Sequence, residues 1–247
     1  MCVLSACDSS DAEAEVALQP PNAAAVGAAV SESEALFKQR EDISKLRDAI
    51  TKLTTMRAGY KRSFDIEWHI ARYSYFLGKQ SEDKKESETA FTNGRDAGEI
   101  AARLEPARVE GHFWYAANLG ELAKLNPLTV GLKSVDTIRT SMNRVLEIDP
   151  RYQNSSAYDA LAQVELETRM TGGSAQKAAD ILEKALATEN DNANLRLHLA
   201  SAYLMLKRDS DARKQLDAIL QMKPHPDYVI EYRASVAEAK KMLARLS

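Results

Sequence analysis

Residues 193–224 read ANLRLHLASAYLMLKRDSDARKQLDAILQMKP, and two helical periods run through them. Leu199, Ala200 and Tyr203 fall on one side of a first helix, and Ala212, Leu216 and Ile219 on one side of a second. Lys207 to Asp209 interrupt the pattern as a short polar turn. Pro224 ends it, because a proline ring cannot continue a helix. Each helix carries an apolar stripe, and two such stripes cannot both be buried within one pair. The rest of the chain must therefore supply neighbours of the same kind.

On these residues the unit resembles a tetratricopeptide repeat. It has the Leu199-Ala200 pair and Tyr203 on helix A, Ala212 and Leu216 on helix B, and the closing Pro224, in a unit of about 34 residues. Arg196 stands where that family carries a tryptophan, so the match is incomplete. The resemblance implies an all-α fold, a right-handed solenoid of antiparallel helix pairs with an N-terminal helix and a C-terminal capping helix. Further units follow upstream. Ile70-Ala71, Leu119-Gly120 and Leu161-Ala162 take the place of the Leu-Ala pair, with spacings of 49, 42 and 38 residues down to Leu199. All exceed the usual length, and the additions fall between helix A and helix B.

The pattern assigns about four degenerate repeats to residues 32–247. Leu36, Ile43, Leu46, Ile50, Leu53 and Met56 predict one N-terminal helix ending near Gly59. Phe64 to Gly78 and Ser81 to Leu104 form the first pair. Gly111 to Gly120 opens the second, Asn126-Pro127 breaks it, and Val130 to Ser134 reads as an inserted loop. Thr171-Gly172-Gly173-Ser174 is the turn of the third, with Ser174 capping the next helix. Asp227 to Leu246 is the cap.

Composition agrees. The chain has 247 residues, 45% of them hydrophobic, with only 10 glycines and 7 prolines, which favours helix throughout. A net charge of −3 offers no basic stripe for nucleic acid. No apolar run reaches the roughly 18 residues that a membrane helix requires.

Cys2 and Cys7 are the only cysteines, so the folded body has neither a disulfide framework nor a thiolate metal site. Leu4-Ser5-Ala6-Cys7 resembles a bacterial lipobox, which implies lipidation of Cys7. Only six residues precede it, too few for a basic start and an apolar run. Residues 1–7 are thus the remnant of a lipoprotein signal if the true start lies upstream. If Met1 is the true start and Cys7 stays unmodified, the protein is cytoplasmic. Residues 8–31 are small, polar and alanine-rich, and read as a disordered linker.

Catalytic motifs are not found. His69, His112, His198 and His225 lack paired-ligand spacing, the Gly172-Gly173 turn lacks the remainder of a phosphate loop, and no Gly-x-Ser-x-Gly elbow occurs. The expectation is a non-enzymatic protein without cofactor or metal. Its partner is a protein or peptide, and its only contact with a membrane is an N-terminal lipid. Helix A residues line the groove of a tetratricopeptide solenoid, and on that resemblance the contact positions are Trp68, Arg72, Trp114, Glu121, Asp159, Gln163, Asn194 and Ser201. Both tryptophans also fit a core role between helices. The Gly111-His112-Phe113-Trp114-Tyr115-Ala116-Ala117-Asn118-Leu119-Gly120 helix and the Gly-Gly turn resemble the periplasmic lipoproteins known as the T component of TRAP transporters. That resemblance implies a lipid-anchored periplasmic protein that docks a solute-binding protein and handles a small or hydrophobic ligand. Two function classes follow, an interaction scaffold and a transport accessory.

Overall fold

The computed structural model describes Pro20, residues 22–188 and residues 191–246. The lipobox with Cys7 and the first part of the expected linker lie outside the described residues. Eleven α-helices occur among the described residues, which contain no strand: α1 Ala23–Phe37, α2 Ile43–Ala58, α3 Phe64–Gln80, α4 Lys84–Leu104, α5 Val109–Leu125, α6 Leu132–Ile148, α7 Tyr152–Glu167, α8 Ala175–Leu186, α9 Ala193–Met205, α10 Asp209–Gln221 and α11 Val229–Arg245. They divide into two units within α5, between Asn118 and Leu119.

The first unit corrects two expectations. The boundary at residue 31 is wrong, because residues 23–31 belong to α1. Alanine has the highest helix propensity, and Asn22 caps the first turn by accepting from Ala24 N at 2.9 Å. Val26, Ser33 and Phe37 are buried and hold the helix down. The single helix predicted up to Gly59 is in fact two. Asp42 accepts from Ser44 N at 2.9 Å and starts α2 afresh, so Leu36 and Ile43 belong to different helices that share a period by coincidence. Leu46, Ala49 and Leu53 are fully buried on α2. Burying each leucine stabilises the fold by about 1.5–3 kcal/mol.

The α3/α4 pair carries Ile66, Ile70, Ala71 and Tyr73 inward from α3, and Ala90, Phe91, Ala97 and Ala101 from α4. Helix α4 then meets α5 at very short range. A β-carbon at Gly98 would lie 2.6 Å from the Tyr115 backbone nitrogen, so the absence of a side chain sets this approach. Asn118 seals the same seam, donating from Nδ2 to Ala71 O at 3.0 Å and to Trp114 O at 2.7 Å.

The second unit begins in the last turns of α5. The loop expected at Val130 to Ser134 is helical instead: Val130 and Gly131 end a π-helical turn at Pro127–Gly131, and Leu132 to Ser134 already form the first turn of α6. At the start of α7, Gln153, Asn154 and Ser155 all have positive φ, between 50° and 61°. One turn of left-handed backbone costs roughly 1–2 kcal/mol per residue. Asn192 donates to Asn154 O at 2.6 Å and also caps α9, tying this turn to the next pair. The Gly172-Gly173 turn is as the sequence suggests. Gly172 sits at φ 115°, a β-carbon at Gly173 would collide with Glu165 O at 2.3 Å, and Ser174 caps α8. Ala162, Ala178, Leu182, Leu195, Leu199, Tyr203, Leu216 and Ile219 form one core. Tyr232 closes it, with its hydroxyl 3.0 Å from Ile219 O and 2.9 Å from Met222 O.

Candidate functional site

In the second unit, three of the expected contact residues lie in one hydrogen-bonded chain along successive A helices. Lys124 Nζ donates to Glu121 Oε1 at 3.0 Å within α5, and to Gln163 Oε1 at 2.9 Å on α7. Gln163 Nε2 in turn donates to Asp159 Oδ2 at 2.9 Å, one helical turn away. The other Asp159 oxygen accepts from His198 Nδ1 on α9 at 2.6 Å, a short, charge-assisted geometry. Glu121, Asp159 and Gln163 are thus joined through Lys124 and His198. Asn194 is engaged further along, where its Oδ1 accepts from Ser235 Oγ on α11 at 2.6 Å. Ser201 is not part of the chain and donates to Leu197 O on its own helix at 3.1 Å.

Sequence reasoning alone misses Lys124, His198 and Ser235. Lys124 and Ser235 lie outside the groove positions of the repeat, while His198 reads as a structural histidine. A partial signal is present, since His198 follows Asn194 by four residues and belongs to the same helical stripe.

The first unit uses the equivalent face differently. Arg72 Nη1 donates to Glu34 Oε1 at 2.9 Å, and the Tyr73 hydroxyl donates to the same oxygen at 2.9 Å. His69 Nε2 stands 3.3 Å from it. Burial by itself raises the Glu34 pKa, but the His69 contact, the Arg72 charge and the Tyr73 hydrogen bond together outweigh it and hold the group at about 2. Burial also pushes the Tyr73 phenol above its usual range. Arg72, expected among the groove contacts, therefore holds a carboxylate from α1. Its guanidinium also lies 4.2 Å from the Phe37 ring centre.

Trp68 is partly buried, and its indole nitrogen is buried with no hydrogen-bond partner among the described residues. Trp114 is removed from the contact set. At 2% exposure it offers no surface, because it is packed against Tyr75 at 5.6 Å, Phe76 at 5.9 Å and Phe113 at 4.9 Å between ring centres. Its role is that of an aromatic core filler.

The model of the family "Regulator of microtubule dynamics protein 1-3" matches residues 29–159, more than half of the chain. The chain belongs to this family. A tetratricopeptide repeat model matches residues 170–230, which include the helix pair at 193–224. Among curated proteins, this family member is 23% identical over 237 residues to regulator of microtubule dynamics protein 3 of Rattus norvegicus, covering 85% of this chain. The match spans 50% of the rat protein, about half its length.

Two solved structures share the fold. A thermophilic tetratricopeptide protein of Thermus thermophilus superposes with a TM-score of 0.60 at 18% identity, covering 84% of this chain and 99% of that one. The pilF protein of Pseudomonas aeruginosa gives 0.57 at 16% identity, covering 90% of this chain and 91% of that one. The all-helical, tetratricopeptide-like fold is thereby shown. Proteins of this repeat type generally mediate protein–protein contacts and are generally not catalysts.

Proposed function

We propose that this protein is a non-catalytic interaction scaffold that binds a protein or peptide partner on the α5, α7 and α9 face of its second unit. The observation that carries the reading is the continuous chain from Glu121 through Lys124, Gln163 and Asp159 to His198, with every link between 2.6 and 3.0 Å. Such a chain fixes side chains that would otherwise lose rotamer freedom on binding, and pre-ordering lowers the cost of association. It also puts donors and acceptors of both charge signs at intervals along three helices, which suits an extended segment with polar side chains. The name of the rat relative points to microtubules for that protein. For this chain, the same partner class belongs among those to be screened.

The test is affinity isolation from the source cells with the wild-type chain and with an Asp159→Asn, His198→Ala variant of equal thermal stability. Partners retained by the wild type and lost by the variant support the reading; an identical set of partners contradicts it.

A narrower reading is that of a periplasmic, lipid-anchored accessory of a TRAP-type transporter. It is supported by the Leu4-Ser5-Ala6-Cys7 box and by the extra turn between α5 and α6. It predicts a small molecule that co-purifies in native mass spectrometry and genes for a solute-binding protein and a permease beside this one. Neighbours without transport genes and an empty protein would return the reading to the scaffold.

A further inference from the structure

Three consecutive turns of the second unit, α5–α6, α7–α8 and α9–α10, expose large apolar side chains at their tips. Leu128 and Met170 are each 96% exposed, Leu132 66%, Met205 46% and Leu125 44%. These turns share one edge. Lys124 near the end of α5 bonds to Gln163 on α7 at 2.9 Å, and Arg169 just past α7 contacts Met205 Sδ at the end of α9. The sequence pattern reveals the insertion but not its exposure, because Leu128 lies among the apolar Leu125, Val130 and Leu132, as a core residue would, and Met170 stands alone among polar and turn residues. Leu128 and Met170 are almost fully exposed and contribute nothing to the core, and with Leu132 they line one rim with apolar groups open to a partner surface.

The charge around them narrows what that is. Segments 124–133, 167–174 and 205–210 carry Lys133, Arg169 and Lys207 against the carboxylates Glu167 and Asp209, while Lys124 and Arg208 are engaged by Glu121 and Asp211, in a chain whose net charge is −3. Asp211, just beyond, is engaged by Arg208 at 2.9 Å and by Lys214 at 3.0 Å. The rim therefore carries a small cationic excess on an anionic protein. Its apolar groups are separate prongs on successive turns and do not line a groove. A bilayer accepts such separate prongs and rewards nearby cations when its headgroups are anionic.

We propose that this rim is a peripheral membrane-docking edge, on which Leu128, Leu132 and Met170 enter the interface of an anionic bilayer while Lys133, Arg169 and Lys207 contact the headgroups. The assignment does not depend on the partner-binding face. It also adds a direct bilayer contact to the single N-terminal lipid expected from the sequence.

The test is co-sedimentation of the full chain, purified unlipidated from the cytosol of an expression host, with vesicles of phosphatidylserine and phosphatidylcholine or of phosphatidylcholine alone. Binding is expected only to the anionic vesicles and is expected to weaken with salt. Leu128→Ser with Met170→Ser should reduce it at least about tenfold, with an unchanged melting temperature because neither residue is buried. Lys133→Glu with Arg169→Glu should reduce it about fivefold or more per site. Absence of wild-type binding, equal binding to neutral vesicles, or undiminished binding by both variants would overturn the assignment. So would a wild-type dimer that the Leu128, Met170 variant dissolves without any vesicle binding, since the rim would then be a contact between copies.

Discussion

The two units place similar helix A positions in opposite circumstances. In the first unit the α3 face is shut from within, with Arg72, Tyr73 and His69 gathered on Glu34 of α1 and Trp114 sealed under aromatic rings. In the second, Glu121, Asp159 and Gln163 are joined through Lys124 and His198 in a hydrogen-bonded chain across α5, α7 and α9, in which Asp159 is buried and Lys124 exposed. A groove position inferred from repeat register thus says which stripe a residue occupies. Whether that stripe is a binding face depends on what the chain itself packs there.

The sharpest break of this contrast is at Trp114. Trp114→Ala should destabilise the protein by about 3–5 kcal/mol, the cost of emptying an aromatic core site, as read by chemical denaturation. Gln163→Ala, on the open chain, should stay within about 1 kcal/mol of wild type. Equal small effects at both sites would return Trp114 to the surface.

Glu34 comes next. Its folded-state pKa of about 2 lies below its ordinary 4.5, so its contribution is fully present above pH 4.5 and is lost as pH falls toward 2. Unfolding free energy should drop by about 1–2 kcal/mol across that window, less than the full shift implies because the carboxylate is partly exposed and screened by solvent. Glu34→Gln should flatten the drop while lowering stability at neutral pH. A wild-type profile already flat between these values would contradict the closed face.

The smallest effect is expected at the left-handed turn of α7. Gln153→Gly should be neutral or stabilising by up to about 1 kcal/mol, because glycine adopts φ near 50° without strain but adds chain entropy to the unfolded state. A loss of 2 kcal/mol or more, measured by thermal unfolding, would mean that the Gln153 side chain carries contacts that outweigh its strain.

Much of the fold is legible in the sequence. Period, turn residues and closing prolines locate α3, α4, α8, α9 and α10 within a few residues, because their apolar stripes are regular and their caps are standard. The N-terminal pair is harder to read because α1 buries only Val26, Ser33 and Phe37 within an alanine-rich stretch that looks like a linker, and the bond that its Glu34 accepts from Arg72 is invisible in sequence. The site is less legible. Register places Glu121, Asp159 and Gln163 among the groove positions, but Lys124 and His198, which connect them, emerge only when neighbouring helices are placed side by side. The closure of Arg72 depends on Glu34, which lies 38 residues earlier. The three-residue left-handed turn at Gln153 to Ser155 contains no glycine, so no residue type announces it.

The most direct test of the central claim is site-specific photo-crosslinking in the source cells, with a photoreactive phenylalanine introduced at Gln163 and, separately, at Arg72. A discrete protein adduct from position 163 and none from position 72 is the predicted result. An adduct from position 72 with none from position 163 would place the binding face on the first unit and contradict the account.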